Sequence, residues 1–446
     1  VISAPGFVIY VLLLSLLAIG AWLRPPVAIA ALGSLFALKQ LGSASHGWLA
    51  ANAAATNYAV ALIAGLALVR RLLQGRLLRQ GAPPLMGIVL ALYGYMLVSL
   101  MWTPVGKLIG GLWGHDYPYM VLLVGIAPWL VATTEELQLA FAWFAAVGGV
   151  LILTLLLALR WGDRGLIVTT GALLDETNPL AIADVAGAVA LCALFIVSKR
   201  RNVFVTLARL ACAALCVVAI IRSGSRGQLL AVCVAILLMI PVAYPLTRLK
   251  GTGSALLGLL AVGLGIAWGV GHYVHWYDER WAQGQEVGDV AGRWSMVSAL
   301  LQAWRQHAVS VIFGMGNSAS FLPSIAGFYP HNVPLEILGE EGLIGFSMYL
   351  AMIWLLLAWA VRGLRAVGDA TQRRGLLAIA FGCFIFALIT TFKQGNAYGS
   401  VTFFMFAMLA ARAAQQVART TARANTARDP RSVSALGDAA LPNLMR

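Results

Sequence analysis

Charge is what this chain has least of. Only 11% of its 446 residues are Asp, Glu, Lys or Arg, against about 25% in an ordinary soluble domain. Apolar residues make up 61%, and the mean hydropathy is +0.85. No soluble core could absorb that surplus, so a soluble globular domain is excluded and an all-α polytopic membrane protein is expected. Acidic charge is scarcer still, with 17 Asp and Glu against 31 Lys and Arg. Cysteine is rare as well: Cys192, Cys212, Cys216, Cys233 and Cys383 all fall inside apolar runs. None is placed for an external disulfide, and no Cys/His spacing reads as zinc. Walker motifs, dinucleotide-binding glycine fingerprints and nucleophile elbows are missing.

A membrane span needs about 20 apolar residues. Thirteen apolar runs occur, near 7–23, 27–41, 47–69, 85–102, 118–132, 138–159, 179–198, 203–221, 228–246, 253–271, 342–361, 375–392 and 397–411. The first two are short and flank Arg24-Pro25-Pro26, so they form either a tight hairpin or one span and an interfacial segment. About 12 transmembrane helices are expected. The chain opens on Val, without a basic leader or a small-residue cleavage site. Its first run therefore reads as a span and not as a signal peptide.

Loop charges set the orientation. Arg70, Arg71, Arg76 and Arg79 follow the third run, Lys199, Arg200 and Arg201 the seventh, and Arg248 and Lys250 the ninth. Arg362, Arg365, Arg373 and Arg374 follow the eleventh, and the tail adds Arg412, Arg419, Arg423, Arg428 and Arg431. These alternate loops are expected to be cytoplasmic. They also account for most of the +14 net charge, which suits anionic headgroups and argues against a nucleic-acid partner. Residues 1–411 read as one membrane domain, and 412–446 as a partly disordered cytoplasmic tail. The opposite loops hold Lys107, His115, Asp116, Asp163, Arg164, Asp175, Glu176, Asp278, Asp289, Glu340 and Glu341. The longest of them, 272–341, lies outside and reads as a folded lid. Within it, 293–307 has helical spacing with Trp294, Val297, Leu301 and Trp304 on one face, as in interfacial helices. Gly314, Gly316 and Asn317 read as a turn, and Pro330 precedes a helix carrying His331, Leu335 and Leu338.

Several residues could carry chemistry. Arg222 and Arg226 bracket Ser223-Gly224-Ser225, against the positive-inside trend. If the stretch is helical, four-residue spacing puts both guanidiniums on one face. Two forks beside Ser and Gly would cradle a phosphate, although snorkelling to headgroups would also account for them. Arg293 divides between the same two readings. His331 is the best proton-transfer group, with an ordinary pKa near 6.5. Asn332 could orient substrate, and Glu336, about one turn on, could orient the imidazole. His272, His275 and Asp278 share a loop start, but their spacing matches no recognised ligand set. No Asp-x-Asp pair is present to hold Mg²⁺ on a nucleotide diphosphate. Apart from Lys39 and Arg209 the spans look clean of charge.

These residues resemble the O-antigen ligase and polymerase superfamily of bacterial envelope enzymes. The matching pieces are Ser223-Gly224-Ser225-Arg226-Gly227, Gly292-Arg293-Trp294, Phe313-Gly314-Met315-Gly316, and His331-Asn332 with Leu335-Glu336 and Glu341-Gly342-Leu343-Ile344-Gly345. They cover roughly 200–400; the N-terminal half contributes only hydropathy. The resemblance implies a membrane glycosyltransferase C-like fold and a multi-pass protein of the bacterial inner membrane with a periplasmic site. It implies an undecaprenyl-pyrophosphate-linked glycan as donor and lipid A-core as acceptor, in lipopolysaccharide assembly. Length and the single large loop resemble ligases best, with polymerase and protein O-oligosaccharyltransferase as alternatives within the superfamily. His331, Arg293 and Arg226 would be catalytic, and Arg222, Asn332 and Glu336 would bind substrate. No metal or cofactor is expected, and the reaction would invert the anomeric carbon. A transporter of the same lipid is the alternative of another class; it would place charges at the membrane midplane.

Overall fold

The structure is a computed structural model, and it describes residues 4–79, 81–106, 118–162, 166–170, 173–176, 178–197, 202–244, 249–274, 283–368 and 370–428. It is an all-α polytopic membrane protein. In hydrocarbon every backbone donor and acceptor must be satisfied within the chain, so apolar runs of this length become helices. Among the described residues nine helices are long and apolar enough to cross a membrane, or ten with one bent pair; three shorter apolar helices accompany them. Each of the thirteen apolar runs falls on one of these.

α1 (Ala4–Leu23) ends at Arg24, where Pro25–Val27 form a single 3-10 turn. α2 (Ala28–Gly33) and α3 (Leu35–Ser45) follow, bent by 63° at Ser34. Pro25 through Leu32 are buried, so this second run is an internal broken helix and does not lie in the interface. α4 (Ala54–Leu73), α5 (Met86–Ser99) and α6 (Thr134–Leu157) complete the N-terminal part. The expected outer loop at 160–178 adds a small hairpin, β1 (Ile167–Thr170) paired antiparallel with β2 (Leu173–Glu176), in register Ile167 to Glu176.

The centre is built by α7 (Pro179–Phe195), α14 (Thr371–Thr391) and α15 (Val401–Arg428). In α14 and in the spanning part of α15, 78% of the residues are buried, against 33% in α1, so the former line the bundle axis and the latter faces lipid. α8 (Val203–Arg222), α9 (Arg226–Ala243) and α10 (Leu249–Tyr273) wrap one side of it. Arg209, one of the two charges expected to break the clean spans, donates to Ala193 O and Leu194 O at 2.8 and 2.9 Å. It caps the C-terminal end of α7. The tail boundary at 412 falls inside α15, where Arg412 is buried; residues 429–446, including Arg431, lie outside the described residues.

The segment expected to be a folded lid does fold over its described part, as α11 (Gln283–Trp304), α12 (Ala308–Phe313) and the start of α13 (Val333–Val367). Val297 and Leu300 are buried, while Trp294 is 65% exposed. Leu300 seats against bare backbone at Gly339 of α13, where a Cβ would lie 2.7 Å from Leu300 Cγ. An outward Trp294 is what an interfacial helix requires. α13 is two helices joined at Gly342, with φ 64 and ψ −165. The expected start of the eleventh apolar run coincides with that break.

Candidate active site

The Ser-Arg-Gly element is a turn between two helices. α8 ends at Arg222, Gly224 takes φ 66, and α9 begins at Arg226. Glycine in the left-handed region ends a helix at little steric cost. The Ser223 hydroxyl donates to Ile220 O at 2.7 Å and lies 2.8 Å from Ser225 Oγ, closing the turn. Arg222 and Arg226 therefore belong to different helices, and the expectation of one shared helical face is corrected. The Arg222 guanidinium sits over the rings of Tyr273 (4.9 Å) and Trp161 (5.7 Å). Such cation–π stacking ties the turn to the end of α10 and to the base of the hairpin.

Beside Arg226 the backbone of Gly227 is covered by Lys393. A Cβ on Gly227 would lie 2.1 Å from Lys393 Cδ and 2.8 Å from Nζ, so a larger residue there would displace the lysine from this position. Lys393 Nζ donates to Gln228 Oε1 at 2.7 Å. Gln228 Nε2 donates to Asp184 Oδ1 at 3.2 Å and to Gln394 Oε1. Gln394 Nε2 closes the network on Asp184 Oδ1 and Oδ2 at 2.9 and 2.7 Å. The chain of bonds thus links α9, α7 and the turn between α14 and α15. Lys39 and Arg209 were the main charges expected within the spans; Asp184 inside α7 adds another. The carboxylate in an apolar run is the signal that could have found Asp184.

Asp184 and Gln394 line a cavity of about 280 Å³, together with Tyr329, His331, Asn178 and Thr390. His331 reaches it from backbone at φ 55, outside the helix expected to carry it, since α13 starts at Val333. Its imidazole packs edge-on to Tyr329 at 4.4 Å and against Phe328 at 5.6 Å. Asn332 is the N-cap of α13, its Oδ1 accepting from Leu335 N at 3.2 Å. Its carbonyl also accepts the first helical bond, from Glu336 N at 2.9 Å. Glu336 is fully buried, and its Oε1 accepts from Ala397 N at 3.2 Å. It holds the 394–400 turn and does not bond the imidazole.

The N-terminal half supplies the facing wall, through Gly33 and Phe36. Phe36 packs on Tyr119 at 5.1 Å, and the Tyr119 hydroxyl accepts from Lys39 Nζ (3.3 Å) and Asn57 Nδ2 (2.9 Å).

The Phe313-to-Asn317 and Glu340-to-Gly342 blocks form one knot. Glu340 accepts from Ser318 N and Ser320 N at 2.7 and 3.0 Å, and Glu341 from Asn317 Nδ2 at 3.0 Å. Gly316 N donates to Glu340 O at 2.9 Å. A Cβ on Gly342 would meet Gly314 N at 2.3 Å. Both carboxylates are buried and are used on donors that would otherwise be orphaned. Arg293 is half-buried on α11; it makes no hydrogen bond or ion pair with a described residue. His331 is thus brought together with Asp184 and Gln394, and Arg226 with Lys393, whereas Arg222 is directed to aromatic rings. Lys107, His115, Asp116, Asp163, Arg164, Lys199, Arg200, Arg201, Arg248, His275 and Asp278 lie outside the described residues.

Helices of this number and hydropathy, with cations and a histidine gathered at one end of the bundle, define a multi-pass membrane protein with a polar site among its helix ends. Residues 211–350, about a third of the chain, match the family model described as O-antigen ligase; the match supports the resemblance to the O-antigen ligase and polymerase superfamily, whose members are glycosyltransferase-like enzymes. The match includes the Ser-Arg-Gly turn, α11 and His331, and leaves out Asp184, Lys393 and Gln394. No curated protein matches the chain.

Proposed function

We propose that this protein is an O-antigen ligase, moving polysaccharide from undecaprenyl pyrophosphate to lipid A-core on the periplasmic face of the bacterial inner membrane. The observation that carries the reading is the cavity shared by His331, Asp184 and Gln394, which hydrogen bonds through Gln228 link to Lys393 beside the Arg226–Gly227 turn. A sugar C1 bonded to diphosphate already has a good leaving group. Transfer then needs positioning and charge stabilisation more than covalent help. The acceptor hydroxyl oxygen attacks C1 as the C1–O bond to phosphate breaks, and the bonding pair leaves with the diphosphate. The hydroxyl proton passes to the His331 imidazole. Arg226 and Lys393 meet the charge gathered on the leaving group, with Arg293 brought in from the lid. Attack opposite the leaving group inverts the anomeric carbon.

Asp184 balances Lys393 through the two glutamines and holds its ammonium in place. Its position argues for transfer over transport. Asp184 is five residues into α7, about 8 Å from the helix start at 1.5 Å per residue, well short of a midplane site. The test uses purified protein, lipid-linked glycan and rough lipopolysaccharide. A ladder of capped lipopolysaccharide supports ligation; lengthened lipid-linked glycan with no capped product would make the enzyme a polymerase.

A further inference from the structure

A second cavity, of about 680 Å³, lies at the opposite end of the bundle. α14 runs from Gln372 and Leu376 in this cavity to Thr390 beside His331. The two linings come within seven residues of each other on that helix, at Ile379 and Phe386, about 10 Å along its axis. The inner wall is apolar, formed by Leu139, Val205 and Ile379, and the rim carries both signs of charge.

On the rim, Arg24 is exposed and makes no side-chain hydrogen bond or ion pair with a described residue. Arg76 lies 3.5 Å from Glu136, but Glu136 is already held by Arg71 and by Ala132 N. With five N–H groups, Arg76 keeps donors to spare. Acceptors stand near these cations. Gln74 Oε1 is buried without a hydrogen-bond partner, and Glu135, whose Oε1 accepts from Thr134 Oγ1 at 2.8 Å, is an exposed carboxylate in the first turn of α6. Trp22, the next-to-last residue of α1, is 41% exposed and carries Arg70 over its ring at 5.5 Å. A tryptophan so placed marks the headgroup boundary of a bilayer.

An apolar wall between helices below a rim at headgroup depth has the polarity of a phospholipid. Two guanidiniums suit its phosphate. Glu135 and Gln74 would sit unfavourably against further acceptors but favourably against an ammonium with N–H donors, which choline lacks. We propose that this cavity binds an aminophospholipid of the surrounding bilayer, its phosphate at Arg24 and Arg76 and its ammonium at Gln74 and Glu135. The proposal stands independently of the transfer reaction.

The test is native mass spectrometry of the delipidated full-length protein. Phosphatidylethanolamine, phosphatidylglycerol and phosphatidylcholine with identical acyl chains are added in turn. The ethanolamine lipid should be retained best, by about fivefold over either other. Arg24→Ala should cut its retention at least fivefold. Glu135→Gln should erase the preference over the choline lipid while leaving some binding. Both residues are exposed on the rim, so neither change threatens folding; Leu139→Trp, which fills the apolar wall, should remove the adduct altogether. Equal retention of the three lipids, preference for the glycerol lipid, or an Arg24→Ala protein that binds as before would overturn the proposal.

Discussion

Gly227→Ala is the sharpest test of the cationic turn. The new methyl would lie 2.1 Å from Lys393 Cδ, so the lysine stem must retreat by about 1.3 Å to regain van der Waals separation. A misplacement of about 1 Å at a catalytic group can cost about 100-fold, or roughly 2.7 kcal/mol of transition-state stabilisation at 1.36 kcal/mol per tenfold. The fold should survive. Alanine is favoured over glycine within a helix by roughly 0.5–1 kcal/mol, which offsets part of the bond lost between Lys393 Nζ and Gln228. We therefore expect an unchanged or slightly altered Tm in detergent with a turnover lower by about two orders of magnitude.

Lys393→Ala should show a loss of the same order, and the double variant should be no worse than Lys393→Ala alone. That is a coupling of about 2–3 kcal/mol, the range found for residues in contact. The assay is the initial rate of capped lipopolysaccharide formation at saturating donor. Near-normal turnover in Gly227→Ala would refute the role given to Lys393, as would losses that simply add in the double variant; the lysine would then only hold Gln228.

His331→Ala should leave the protein folded in membranes and abolish transfer; near-normal ligation in a complementation assay would make His331 structural. Arg226→Lys and Arg293→Lys should each fall at least tenfold, because lysine keeps charge but loses the fork, and full rescue by lysine where alanine fails would reduce them to point charges. Gly342→Ala should destabilise by about 3 kcal/mol or more, through its left-handed backbone and the clash with Gly314 N, read as lost yield and lowered Tm; a stable, active variant would mean that the knot can open. Ligation should persist in EDTA, since arginine and lysine can neutralise the diphosphate in place of an ion, and activity lost to EDTA and restored by Mg²⁺ would overturn that mechanism.

The spans were legible because an apolar run long enough to cross hydrocarbon has one stable backbone solution. The site was legible only in part. His331 stood out by type and neighbours, but its φ of 55 and its place ahead of the N-cap are invisible in composition. Arg222 and Arg226 looked like a helical pair until Gly224 turned the chain between them. Asp184 and Lys393 meet only because α7 and the end of α14 pack side by side, a pairing that no local pattern records.

The same comparison divides the motifs that carry the resemblance. Gly314, Gly316, Glu340, Glu341 and Gly342 close one knot in which backbone passes backbone at distances no Cβ would allow. Their sequence pattern reports packing. Arg226 and His331 stand outside that knot: one opens a helix and the other sits in a turn facing a cavity. Gly227 likewise reports packing, since its missing side chain is what admits Lys393 to the turn.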